Sequence, residues 1–150
     1  MSATAHSQVS NTATAPMTLE RIAVLYARLA LGTAFLSAVA ARFGLWGSYS
    51  ATRGFGDFIR YTGEVLSFMP ASTIPSMAIA ATIAETGLGI VLLAGIQLRR
   101  AAIGSAILLA TFAIAMTISS GIKSPLDGSV FTASAAALLL AVHARVNMDQ

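Results

Sequence analysis

Cysteine is absent from the 150 residues, and this excludes whole classes of chemistry. Without thiols there is no disulfide, no thiol redox relay, no cysteine-ligated iron–sulfur cluster and no c-type haem attachment. Histidine is nearly as scarce: His6 lies in a polar tail and His143 near the end of the last apolar run. A haem held by two histidines of this one chain is thereby disfavoured. No intrinsic cofactor is expected, and any redox centre belongs to a partner. Charge is also short, at 10% Asp, Glu, Lys and Arg, against about 25% in an average soluble domain. The nine Lys and Arg residues give a net charge of +3. They stand singly at the ends of apolar runs, with no basic stripe, which reads as interface anchoring and not as a nucleic-acid surface.

What the chain does have is apolar length. Hydrophobic residues make up 56% of it, with a mean hydropathy of +0.77. About 20 predominantly apolar residues cross a bilayer, and four runs qualify, over residues 19–43, 74–98, 101–121 and 125–145. The expected fold is therefore all-α: a polytopic membrane protein with a four-transmembrane-helix bundle over residues 17–150 and a disordered polar tail over residues 1–16. That tail has neither the apolar core of a secretory signal nor the arginines of a transit peptide. Met17 is a possible second start.

The run over residues 74–98 organises the rest, because its single charge, Glu85, sits near its middle. An ionisable group inside a span costs about 2.5 to 3.5 kcal/mol on insertion scales, faces a bundle interior and usually has company. Arg28, in the first run, is the candidate companion. It lies about 14 Å along its helix and Glu85 about 20 Å along an antiparallel neighbour, a mismatch that an extended arginine spans. Two alternatives stand beside this pair. In one, Arg28 snorkels to the nearer interface; in the other, Glu85 is protonated and bonded to Ser, Thr or backbone. Small residues suited to close helix approach are Gly32, Gly87 and Gly89, with an alanine stripe at Ala133, Ala137 and Ala141. The "GLG" at 87–89 is not a nucleotide loop, since no strand precedes it and no third glycine follows at the required spacing. Thr18 is expected to cap the first helix. Ser124, Pro125 and Asp127 are expected to open the last.

Between the first two runs lies the one substantial non-spanning segment. Trp46 and Tyr49 among glycines suggest an interfacial turn. Over residues 55–69, Phe55, Phe58, Ile59, Thr62, Val65, Leu66 and Met69 recur at helical spacing opposite Asp57, Arg60, Tyr61 and Glu64. This predicts a short amphipathic helix, either a solvated connector or a surface that docks a partner or covers the site around Glu85. The candidate docking residues are Trp46, Phe55, Asp57, Phe58, Arg60 and Glu64. For orientation, placing both termini inside collects Arg21, Arg99, Arg100 and Arg145 there, against Arg42, Arg53, Arg60 and Lys123 outside. The even count is tipped towards cytoplasmic termini by the short loop carrying Arg99 and Arg100.

The stretches "ARLALGTAFL", "ARFGLWG", "AETGLGIVLLAGIQLRRAA" and "GIKSPLDGSVF", in this order, resemble the DoxX-like family of small four-helix bacterial membrane proteins. The most specific element is Glu85 followed by Gly87, Gly89, Gly95 and Arg99. The resemblance implies a location in the bacterial cytoplasmic membrane and association with quinone-linked or oxidative-stress complexes, with quinone as a possible cofactor. It does not imply an activity of this chain alone, since such a transfer would rest on fold-level analogy. Three readings follow. The chain is a non-catalytic membrane subunit or scaffold for a redox partner. Alternatively, it is a quinone-handling oxidoreductase subunit with Glu85 as an intramembrane proton-relay acid. The third reading, a small-solute or proton transporter, lacks an inverted repeat or broken helices in its support. Homo-oligomerisation is open in all three.

Overall fold

The computed structural model describes residues 19–49 and 54–146, with the side chains of Arg145 and Val146 excepted. The polar tail, the expected cap Thr18 and Arg53 lie outside the described residues. Every regular element among those described is helical: α1 (Leu19–Arg42), α2 (Phe55–Val65), α3 (Ile74–Ala94), α4 (Leu98–Ser120), α5 (Lys123–Asp127) and α6 (Val130–Val146). Short 3-10 turns at Gly47–Tyr49 and Ala71–Thr73 flank α2. Three helices, Leu19–Arg42, Ala71–Ala94 and Leu98–Ser120, are long and apolar enough to cross a membrane, and α6 is a shorter apolar helix.

The helix ends follow from local chemistry. Helix α3 stops at Ala94, short of Leu98, because Gly95 takes the left-handed conformation (φ 72°) and donates to the Leu92 carbonyl, while Ile96 donates to that of Val91. This is the Schellman arrangement, which glycine enters without a Cβ penalty. Residues 95–97 then reverse the chain and α4 begins at Leu98. The expected continuous helix over residues 125–145 is instead two pieces. Helix α5 ends at Gly128, a poor helix former. Ser129 follows at φ 54°, and its carbonyl accepts the first bond of α6 from Ala133 N–H. A 17-residue α6 is about 26 Å long, near the lower limit for a bilayer.

The helices pack as two close pairs, α1 with α3 and α4 with α6. Gly32 and Gly89 make the first pair possible. A Cβ on Gly32 would lie 2.8 Å from Leu93 Cγ and 3.1 Å from the Gly89 carbonyl, and one on Gly89 would lie 3.2 Å from the Gly32 carbonyl. The backbones thus meet at that crossing, the use small residues have in membrane helices. In the second pair, Ala137 and Ala141 are buried, and Ser134 Oγ donates to the Ala106 carbonyl at 2.8 Å. Gly87 plays no such part: nothing lies within 4 Å of a Cβ built there, because it is on the outer side of α3, two residues from the crossing.

The core of Leu31, Phe35, Leu92, Ala101, Ala102, Ala106, Ala137, Leu140 and Ala141 fills the half of the bundle nearer the chain termini and the α3–α4 turn. The other half, covered by α2, is less completely filled and holds the buried ion pair.

Candidate functional site

Glu85 is 3% exposed and Arg42, the last residue of α1, is 6% exposed. Arg42 Nη2 donates to both carboxylate oxygens of Glu85, at 2.6 and 2.7 Å, and Nη1 donates to Thr82 Oγ1 at 2.9 Å. The Phe58 ring of α2 covers the guanidinium, with its centroid 3.7 Å from Cζ. Charge-assisted bonds of this kind to both carboxylate oxygens, with the cation stacked on an aromatic face, compensate the desolvation of both ions.

The partner of Glu85 is therefore Arg42 and not Arg28. Depth measured from the helix ends does not decide the pairing, because the helix register and the direction of the side chains do. The Gly32–Gly89 crossing sets the register and places Arg28 against Gly95, well past Glu85. Side chains lean towards the N-terminus of their own helix. Arg42 thus leans back into the bundle and Glu85 leans towards it, whereas Arg28 leans away towards the chain terminus. Arg28 Nη2 reaches the Leu93 carbonyl at 3.5 Å, and its Nε is buried without a hydrogen-bond partner among the described residues. A cation at the last carbonyls of α3 complements the negative end of that helix. Arg42, expected as an interface anchor, is instead withdrawn from the surface.

Two cavities adjoin the pair. The larger, about 440 Å³, lies between α2, α3 and α4. Arg42, Glu85, Tyr61, Thr62 and Thr111 give it polar points, and Met77, Ala80, Ala84, Leu108, Phe112 and Met116 contribute to its apolar wall. The smaller, about 200 Å³, lies between α1, α4 and α6, with Glu85 its one polar residue. Both volumes exist because the close pairing of α1 with α3 and α4 with α6 leaves the contact between the pairs incomplete.

Helix α2 forms the roof of the larger cavity. It turns Phe58 and Thr62 inward and leaves Arg60, Tyr61 and Glu64 exposed. Ser119 of α4 donates to the Val65 carbonyl and ties down its far end. Asp57 and Arg60 pair at 3.1 Å with the Arg60 side chain largely exposed. Phe55 stacks on Phe43, and Trp46 Nε1 donates to the Ser37 carbonyl. Of the residues expected to dock a partner, Phe58 is thus committed to Arg42, while Trp46, Arg60 and Glu64 remain on the surface.

No protein-family model matches the chain. No curated protein and no solved structure gives a significant match either. The site must therefore be read from its own geometry. Among the described residues, no three His, Asp or Glu side chains gather to hold a metal ion. What the arrangement offers is a lipophilic chamber with a fixed hydrogen-bond donor on its wall, the usual design of a small-molecule site. Reasoning from the sequence missed Arg42, Thr82, Phe112 and Met116. For Arg42 the signal was partial: the Cα–Cβ bond tilts towards the helix N-terminus, so an arginine in the last turn is able to reach back along the helix.

Proposed function

We propose that this chain is a membrane subunit of a redox-linked complex, and that its larger cavity binds a quinone-like molecule: a lipophilic body with a polar head that accepts hydrogen bonds. The observation that carries this reading is the apolar chamber of about 440 Å³ with the buried Arg42–Glu85 pair on its wall. Chambers of roughly 300 to 1,000 Å³ with few polar points suit ligands of this size. Arg42 supplies the donor; Glu85 and Thr82 hold it in one orientation and Glu85 balances its charge. The resemblance to DoxX-like proteins supports the redox setting and a bacterial cytoplasmic membrane.

In this reading α6 completes a four-span bundle, and α2 is an amphipathic helix at the far interface. With Arg42 withdrawn into the bundle and Arg28 at the level of the α3–α4 turn, the basic side chains among the described residues divide as Arg21, Arg28, Arg99 and Arg100 against Arg60 and Lys123. That asymmetry favours cytoplasmic termini. Glu85 borders both cavities, which supports the second reading, in which its carboxylate takes up a proton and passes it to a quinone that the redox partner reduces. A partner-docking role rests on the exposed Phe43, Leu45, Trp46 and Tyr49 beyond α1.

The test is saturable binding of a short-tailed benzoquinone to the full chain in lipid nanodiscs. One site per chain is expected, weakened about tenfold or more by Ala84→Phe, which fills the chamber with an unsuited side chain. A wild-type protein that shows no saturable binding overturns the proposal. For the docking role, cross-linking from Tyr49 in native membranes should capture a single redox protein. Capture of lipid alone would dismiss it.

A further inference from the structure

The two cavities share three wall residues, Glu85, Phe112 and Met116. They are thus neighbouring chambers separated by side chains of one turn of α4 and by the carboxylate of α3. Their linings differ in kind. The larger has Arg42, Tyr61, Thr62 and Thr111 beside Glu85. The smaller is otherwise hydrocarbon: Leu31, Ala34, Phe35 and Ala38 of α1, Leu109 of α4, and Val130 and Ala133 of α6.

From this difference we infer that the chambers form one binding tract, with Phe112 and Met116 as the residues that select chain length. The polar head of the ligand lies beside Arg42 in the larger chamber, and its hydrocarbon chain crosses between Phe112 and Met116 into the smaller. The inference rests on the ligand-binding reading above and adds to it a ligand class, a single-chain amphiphile, and a reason for the second void. Three physical points carry it. A hydrocarbon chain that fits an apolar recess gains dispersion contacts along its whole lining. A head needing donors finds them in the larger chamber, while a chain needing none matches the smaller. Neither separating side chain is fully buried, and the unbranched thioether of methionine adapts to irregular volumes at low cost.

The experiment compares two probes with the same dimethoxy-methyl-benzoquinone head, one tailless and one with a decyl tail, binding to the full chain in nanodiscs of fixed lipid composition. The variant is Ala34→Leu, at an exposed position of α1 that borders only the smaller chamber. It should weaken the decyl probe about tenfold relative to wild type and leave the tailless probe unchanged, since a side chain now occupies the volume of the tail. Phe112→Trp, which narrows the crossing, should act in the same direction. Decyl binding unaffected by both variants would place the tail in the bilayer and overturn the inference while leaving the larger chamber as a ligand site. Equal weakening of both probes would also overturn it. Failure of wild type to bind either probe would remove the ligand-binding reading itself. Should a variant not fold, a decyl probe ending in a diazirine settles the matter on wild type. Labelling of α1 or α6 residues around the smaller chamber supports the tract, and labelling of lipid alone refutes it.

Discussion

The two halves of the bundle are built from the same apolar helices yet solve different problems. In the half near the chain termini, Leu92, Ala101, Ala102, Ala106 and Ala137 belong to one buried cluster, and α1 meets α3 at the Gly32–Gly89 crossing. Arg28, directed towards that end of α3, stays partly exposed beside a helix C-terminus. In the half under α2, the same helices enclose a buried ion pair and leave two cavities beside it. The difference teaches that close packing of membrane helices depends on small residues meeting in register, because lipid tails are as apolar as the side chains they replace. Where that register passes, polar groups fix the geometry instead.

The comparison breaks most severely at the ion pair. Glu85→Ala leaves the Arg42 charge buried and uncompensated, and should cost about 3 to 5 kcal/mol. Replacing both partners, Arg42→Met with Glu85→Met, should recover most of that loss. Reversible unfolding in mixed detergent micelles measures both, and a double variant as unstable as Glu85→Ala would show that the pair contributes more than mutual compensation. A contrast of leucines comes next. Leu92→Ala empties a site in the tight half and should cost about 2 kcal/mol, the lower end for core leucines, since lipid supplies no aqueous transfer term. Leu108→Ala borders an existing cavity and should cost clearly less in the same assay.

Glycines sharpen the comparison further. Gly32→Ala meets Leu93 and the Gly89 carbonyl and should destabilise by about 1 to 3 kcal/mol through overpacking. Gly87→Ala meets nothing and should be neutral or slightly stabilising, because it lowers backbone freedom at no steric cost. A Gly32→Ala variant as stable as wild type would disprove the backbone crossing. The smallest destabilisation is assigned to Arg28. Arg28→Gln removes a favourable charge at a helix C-terminus worth about 0.3 to 1 kcal/mol, and its difference from wild type should shrink as salt is raised. A loss from Arg28→Gln as large as that from Glu85→Ala would reverse the assignment of the two arginines.

The alternation of apolar runs and polar breaks settled a good deal by itself. The three long apolar helices are local properties, determined by side-chain polarity and backbone freedom within a few residues, although the stop at Gly95 and the break at Gly128 and Ser129 shortened two of the expected runs. The cost of Glu85 was equally legible, since a lone acid in an apolar run needs a partner wherever the chain folds. The identity of that partner was not. Arg28 and Arg42 lie on the same helix about four turns apart, and choosing between them requires the register of α1 on α3, which depends on two glycines meeting across space. Gly87 looked as useful as Gly89 for the same reason: only the facing helix distinguishes them. The cavities are further still from the sequence, for they are what remains after four helices choose close neighbours. Local chemistry thus determined the elements and the need for a buried pair, while tertiary packing decided which arginine satisfies it and what space lies beside it.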